Sequence, residues 1–152
     1  MKTVNDIELR MFGKDSLDEV KVTALSTEAW YKDDLLYFDT SDNVVKKITA
    51  NTAAVRVKFC GIAAADKPEG EAIGSVRLRA RLYVKLTSAT VSNILGAKVT
   101  PTYTSGDYTF AVATNDTIGH IIQNSITIND YGLIEINVLN QSNFFARPTA
   151  SV

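Results

Sequence analysis

Eleven consecutive residues, Val76 to Leu86, alternate between apolar and polar without an error. Val76, Leu78, Ala80, Leu82, Val84 and Leu86 fall on one side, and Arg77, Arg79, Arg81, Tyr83 and Lys85 on the other. Only a period of two sorts them this way, so the segment predicts one long β-strand. Three arginines on one side forbid burial of both faces unless something pairs with them. The strand therefore needs a sheet with one dry face and one polar face, which predicts an all-β fold. Composition agrees: 16 Thr, 14 Val and 12 Ile make β-branched residues more than a quarter of the 152. A branched Cβ packs well on a pleated surface and is stiff in a helix. No apolar heptad runs long enough for a coiled coil.

The length suits one domain, or two small lobes sharing a core, that buries about two thirds of the surface its unfolded chain exposes. A single cysteine, Cys60, excludes an internal disulfide framework and a multi-cysteine metal site. No run of 18 apolar residues is present, and Met1 to Arg10 has no apolar signal-peptide core. A soluble chain, made and folded in a cytosol, is expected. Sixteen basic against 17 acidic side chains give a net charge of -1, with no global attraction to nucleic acid or an acidic membrane. The charge is uneven: -4 over residues 1–40, +6 over 41–100 and -3 over 101–152. An acidic leading segment beside a basic middle can pair within one subunit or between neighbours.

Residues 1–33 read as an N-terminal arm, residues 34–139 as a β-rich body and residues 140–152 as a surface tail. In the arm, Ser16-Leu17-Asp18-Glu19 has the form of a capping box, but Val20-Lys21-Val22-Thr23 alternates and reads as extended. Trp30-Tyr31 is either a core plug or an interface anchor. Leu35–Phe38 and Val44–Ile48 flank the turn formers Asp39 to Asn43 and predict a hairpin. Residues 49–53 read as a loop. Val55, Val57 and Phe59 alternate with Arg56, Lys58 and Cys60, predicting another strand. Residues 87–96 suggest a turn or short helix stopped by Gly96, and Pro101 marks the edge or end of the strand begun at Ala97. Further strands are expected over 108–113, 118–122, 126–128 and 133–139.

Shifted by 58 residues, the chain meets itself. Gly61 falls on Gly119 and Gly74 on Gly132, while Val76, Leu78 and Ala80 fall on Ile134, Ile136 and Val138. A β-rich chain can produce such matches by coincidence. A true echo of 61–80 in 119–138 means two similar β modules in one barrel or sandwich, with glycines where the backbone turns tightly or approaches closely.

Chemistry finds little to stand on. His120 is the sole histidine and lies in an apolar strand, where a structural role outweighs a base. Cys60 reads as a buried thiol. Asp33-Asp34 are adjacent and diverge if extended, and no phosphate loop, dinucleotide fingerprint, zinc-protease helix or nucleophile elbow occurs. No enzyme, cofactor or metal is expected. The cationic row of Arg77, Arg79, Arg81 and Lys85, broken by Tyr83, repeats every ~6.6–6.8 Å. That spacing is near the spacing of phosphates, but a protein partner is favoured over nucleic acid because guanidinium forks suit carboxylates.

The order of features from about Asp34 to Leu139 resembles small head-decoration proteins of tailed bacteriophages and prophages, the capsid-stabilising or cement type. The carriers are Leu35-Leu36-Tyr37-Phe38, Phe59-Cys60-Gly61-Ile62-Ala63, and Glu69-Gly70-Glu71-Ala72-Ile73 before the long strand. Later come Gly96-Ala97-Lys98-Val99, Thr117-Ile118-Gly119-His120-Ile121, and Gly132 leading into Ile134-Glu135-Ile136-Asn137-Val138. The resemblance implies a compact β-barrel or β-tulip body, often a homotrimer, on the outer surface of the virion head. There it would bind the major capsid protein and hold the shell without catalysis, membrane or direct nucleic-acid contact. It also implies an arm that adds a strand to a capsid element, for which Val20 and Val22 are placed. Trp30, Tyr31, Phe144 and Phe145 would be apolar anchors, and Arg77, Arg79, Arg81, Tyr83 and Lys85 would set register. Other assignments are a head-fibre base, a tail or baseplate module, or a carbohydrate-binding β domain.

Overall fold

The computed structural model describes residues 18–87, 95–124 and 131–138, and within them lie ten strands and one short helix. Strands β1 (Glu19–Thr23), β2 (Leu35–Asp39), β3 (Val44–Lys47), β4 (Phe59–Ala63) and β5 (Ile73–Arg77) form one antiparallel sheet in the order β1-β5-β4-β2-β3. Strands β6 (Arg79–Lys85), β7 (Lys98–Thr104), β8 (Asp107–Val112), β9 (Gly119–Asn124) and β10 (Tyr131–Asn137) form the other in the order β6-β10-β9-β7-β8. Adding five to each label turns the first order into the second.

The registers repeat as well. Ile62 faces Arg77 and Ala63 faces Val76 in the first sheet; His120 faces Glu135 and Ile121 faces Ile134 in the second. From 62 to 120 and from 77 to 135 the offset is 58, the spacing of the matched glycines. Each sheet also curls until its edge strands touch at one parallel bridge, Ala24 with Val45 and Leu86 with Phe110. Beside those bridges the Leu25 N–H donates to the Val45 carbonyl and the Thr87 N–H to the Phe110 carbonyl. The two edges meet at that single bridge pair among the described residues, without a continuous ladder.

The glycines explain themselves here. A Cβ on Gly61, where φ is +144°, would lie 2.6 Å from the Arg77 carbonyl oxygen; one on Gly119 would lie 2.6 Å from that of Glu135. Both positions need a bare backbone for the same close crossing of strands. Gly74 serves a different end, because a Cβ there would strike the Trp30 ring at 2.0 Å.

Two apolar clusters follow from the curl. Ala24, Trp30, Leu36, Val45, Ala63, Val76 and Leu78 fill the inside of the first sheet. Leu86, Val99, Phe110, Ile118, Ile121, Ile134 and Ile136 fill the inside of the second, joined by Leu35, Ile48, Phe59 and Ile62 from the first module. Leu35 and Ile62 are cross-strand partners, as are Leu36 and Gly61. Strands β2 and β4 are thus buried on both faces, one against their own module and one against its neighbour. Tyr108 of β8 donates its hydroxyl to the Ile48 carbonyl at 2.6 Å, and Asn51 exchanges hydrogen bonds with the Tyr103 backbone across the same boundary.

Three expectations are corrected. The alternating run is divided at Leu78: Arg77 closes β5 in the first sheet, and Arg79 opens β6 in the second. Alternation survives the break, since Leu78 and Ala80 remain buried while Arg79 and Arg81 remain exposed. A period of two cannot register a bend that conserves which side faces inward. The arm's second half belongs to the body. Val20–Thr23 pairs in the chain's own sheet with β5, whose edge would otherwise be open, and so forms the edge strand of that sheet rather than a separate arm. Finally, residues 53–56 form helix α1 (Ala53–Arg56), not the start of a strand. Thr52 takes the extended N-cap conformation, and the helix formers Ala53 and Ala54 follow it. Pro101 sits inside β7 opposite Phe110, where β7 has already lost its β9 neighbour beyond Val99. Its carbonyl turns away from β8 and accepts from the Arg56 guanidinium at 2.6 Å, so no ladder N–H is missed.

Candidate interaction surface

Strand β6 is an edge strand with an outward row of Arg79, Arg81, Tyr83 and Lys85. Register places Asn137, Glu135, Leu133 and Tyr131 of β10 opposite them in that order. Arg81 donates Nε to Glu135 at 3.3 Å but keeps 66% of its side chain exposed. Arg79 reaches Asp18 at 2.8 Å, and Arg77 lies 3.9 Å from Asp33. These are solvent-facing pairs, worth less than about 1 kcal/mol each to the fold. Their carboxylates orient the guanidinium groups without burying them. Tyr83 is 60% exposed and stacks on Tyr131 at 5.6 Å, with the Lys85 ammonium 5.6 Å from the Tyr131 ring centre. The row joins cations to a rigid aromatic ledge.

A groove of about 460 Å³ runs beside this row. One wall is the β6 edge from Arg81 to Val84, the second is the start of β8 from Gly106 to Tyr108 with Phe110, and the third is Lys32 to Leu35. It opens where β6 and β8 separate beyond the Leu86–Phe110 bridge. The two adjacent aspartates diverge. Asp33, at φ +73°, faces solvent and Arg77. Asp34 is buried, accepting from the Tyr31 N–H at 2.8 Å and lying 3.2 Å from Lys47. Lys47 in turn stands between the rings of Tyr31 and Tyr103, 5.9 and 5.6 Å from their centres. Burial raises the Tyr108 phenol far above its ordinary range, with the Asp34 charge adding to the effect, so it stays a donor.

The other sequence candidates scatter. Tyr31 is 64% exposed and remains a surface aromatic. Trp30 is 1% exposed, so it is a core residue and not an anchor; Lys67 is buried over its ring, 5.4 Å from the centre. The Lys67 ammonium donates to the carbonyls of Leu25, Glu28 and Glu71. Val20 is 38% exposed on β1 and Val22 is half-buried. Phe144 and Phe145 lie outside the described residues, as do residues 88–94 and 126–128.

Cys60 packs on the inside of the first module, whereas His120 lies on the outer face of the second, 3.7 Å from Glu135. The fold does not bring thiol and imidazole together. Among the described residues no cluster of three His, Cys, Asp or Glu could hold a metal ion, and no helix is long and apolar enough to cross a membrane. Sequence reasoning missed Lys47, Lys67, Tyr131 and Asp107. Lys67 stands in a turn-like Asp-Lys-Pro-Glu-Gly run that gives no sign of burial. Comparison with protein-family models, curated proteins and solved structures finds no match to this chain.

Proposed function

We propose that this chain is a head-decoration protein of a tailed phage. In this reading it is a homotrimer that binds the major capsid protein on the outer surface of the virion head and stabilises the shell without catalysis. The observation that carries the reading is the outward row of β6, where Arg79, Arg81 and Lys85 flank an exposed, stacked tyrosine. Guanidinium groups on a rigid sheet suit acidic patches of another polypeptide, and the aromatic ledge adds contact area at little entropic cost. A shell offers many copies of one site, so modest contacts repeated across it become strong. The sequence resemblance over residues 34–139 supports the same assignment.

The test is co-sedimentation with empty heads assembled from a tailed-phage major capsid protein. Arg79→Glu with Arg81→Glu should lower the bound fraction at least about tenfold, since like charges then meet across the contact. The thermal midpoint should move little, because the lost ion pairs are exposed. Unchanged pelleting of the double variant would make the row a solvated face.

The groove favours a second reading, a carbohydrate-binding β domain. Tyr83 offers a ring face at its mouth, and Asp33, Asp107, Arg81 and Lys32 surround it with hydroxyl-matching groups. Titration of neutral disaccharides against wild type and Tyr83→Ala separates the two readings. Binding lost with the ring supports the sugar site.

A further inference from the structure

Side chains do little to hold β1 and the residues after it on the body. Of the five in β1, only Val22 is half-buried and the other four are exposed. From Ala24 to Ala29 only Ala24 is buried, with Leu25 and Glu28 half-buried. So little apolar burial stabilises weakly, and polar contacts carry the attachment of residues 19–28. Beyond the ladder with β5, the N–H groups of Ala24 and Leu25 donate to the carbonyls of Ala72 and Val45. The Gly70 N–H donates to the Ser26 carbonyl, and the Lys47 N–H to the Glu28 carboxylate. Just ahead of β1, Asp18 pairs with Arg79 and accepts from the Leu78 N–H. At the far end Trp30, 1% exposed, fixes the chain in the core.

The deepest of these ties is Lys67, 2% exposed in the loop between β4 and β5. Its ammonium donates to the carbonyls of Leu25, at 3.2 Å, and Glu28 on the leading segment. It also donates to those of Pro68, at 3.3 Å, and Glu71, at 2.9 Å, on its own loop. Carbonyl oxygens that converge on one point repel one another, and a compact cation between them makes the cup favourable. The Trp30 ring flanks the same ammonium and adds to its hold. Without the cation the oxygens gain by separating and meeting water, and the side that separates at least cost is residues 19–28. We propose that Lys67 is a latch on a strap. While its ammonium fills the carbonyl cup, β1 stays on β5; when it leaves, residues 19–28 open as one unit, with Trp30 as the fixed end. Opening uncovers the β5 edge and leaves the second sheet closed. The device belongs to this chain alone and depends on neither functional reading above.

Hydrogen exchange read by mass spectrometry tests the latch. Lys67→Met keeps an apolar stem but removes the ammonium. It should speed exchange over residues 19–28 at least about a hundredfold, because two carbonyls of that segment lose their charged donor. Amides of β9 and β10 should exchange as in wild type. Wild type gives a second reading that stands even if the variant does not fold. In urea below the unfolding transition, acylation of Lys67 by acetic anhydride should follow the same urea dependence as β1 exchange. Its slope should be shallower than that of the β10 amides, since a strap exposes less surface than the whole molecule. Equal acceleration in both sheets, unchanged exchange in β1, or Lys67 acylation that tracks the β10 amides would each overturn the proposal, leaving Lys67 a core residue released only by global unfolding.

Discussion

Gly61 shows how little room one residue can have. Its φ of +144° disfavours any side chain, and its missing Cβ is where the Arg77 carbonyl passes. Gly61→Ala should therefore destabilise by about 2 kcal/mol or more, through backbone strain added to a clash that strand pairing cannot relieve. The urea midpoint reads this directly, and an unchanged midpoint would mean that β4 and β5 can separate freely. A second residue-scale effect is electrostatic. Asp39 is held below its ordinary carboxylate value, first by the hydrogen bond from the Lys46 ammonium and then by the Ser41 N–H. Lys46 is raised in return by its hydrogen bonds to Asp39 and then Asp42. The lowered Asp39 contributes stability above its unfolded value, near pH 4, and that contribution disappears as pH falls through the folded value. Asp39→Asn should thus be less stable than wild type at pH 7, with the gap closing in acid. Urea midpoints at both pH values measure it, and a gap that widens in acid would contradict the sign.

At the scale of elements, the β7–β8 hairpin acts as a clasp. Its outer end holds the first module through Tyr108 to Ile48, Tyr103 to Asn51, and the Pro101 carbonyl to Arg56. Helix α1, a single turn, ends at Arg56, whose guanidinium donates to that carbonyl. Tyr108→Phe removes one buried donor and leaves the Ile48 carbonyl unpaired, which should cost about 1–2 kcal/mol with the ring's packing retained. Equilibrium unfolding of the pair measures the loss; a neutral result would show that water replaces the hydroxyl. The inward and outward sides of β6 are legible in the sequence because alternation alone assigns them. The division of the run at Leu78 is not, because a bend that preserves parity leaves the pattern untouched. Lys67 was illegible for a related reason: its neighbours are turn formers, and its burial depends on Trp30, 37 residues earlier in the chain.

For the whole molecule, the shared cluster sets cooperativity. Leu35, Ile48, Phe59 and Ile62 belong at once to strands of the first module and to the interior of the second. Neither module can unfold without exposing the other's core. Calorimetry should therefore show one transition whose calorimetric and van't Hoff enthalpies agree, despite the duplicated architecture. Two resolved transitions would mean that the modules are independent domains.

Strand content, the inward and outward sides of the arginine run and the glycine spacing of 58 were written in the sequence, because side-chain alternation and the need for a bare backbone are local properties. The pairing of β1 inside its own sheet, the burial of Trp30 and Lys67, and the direction in which one module covers the other were decided by tertiary structure alone. Those depend on which distant surfaces remain apolar once each sheet has curled, and no window of neighbouring residues contains that information.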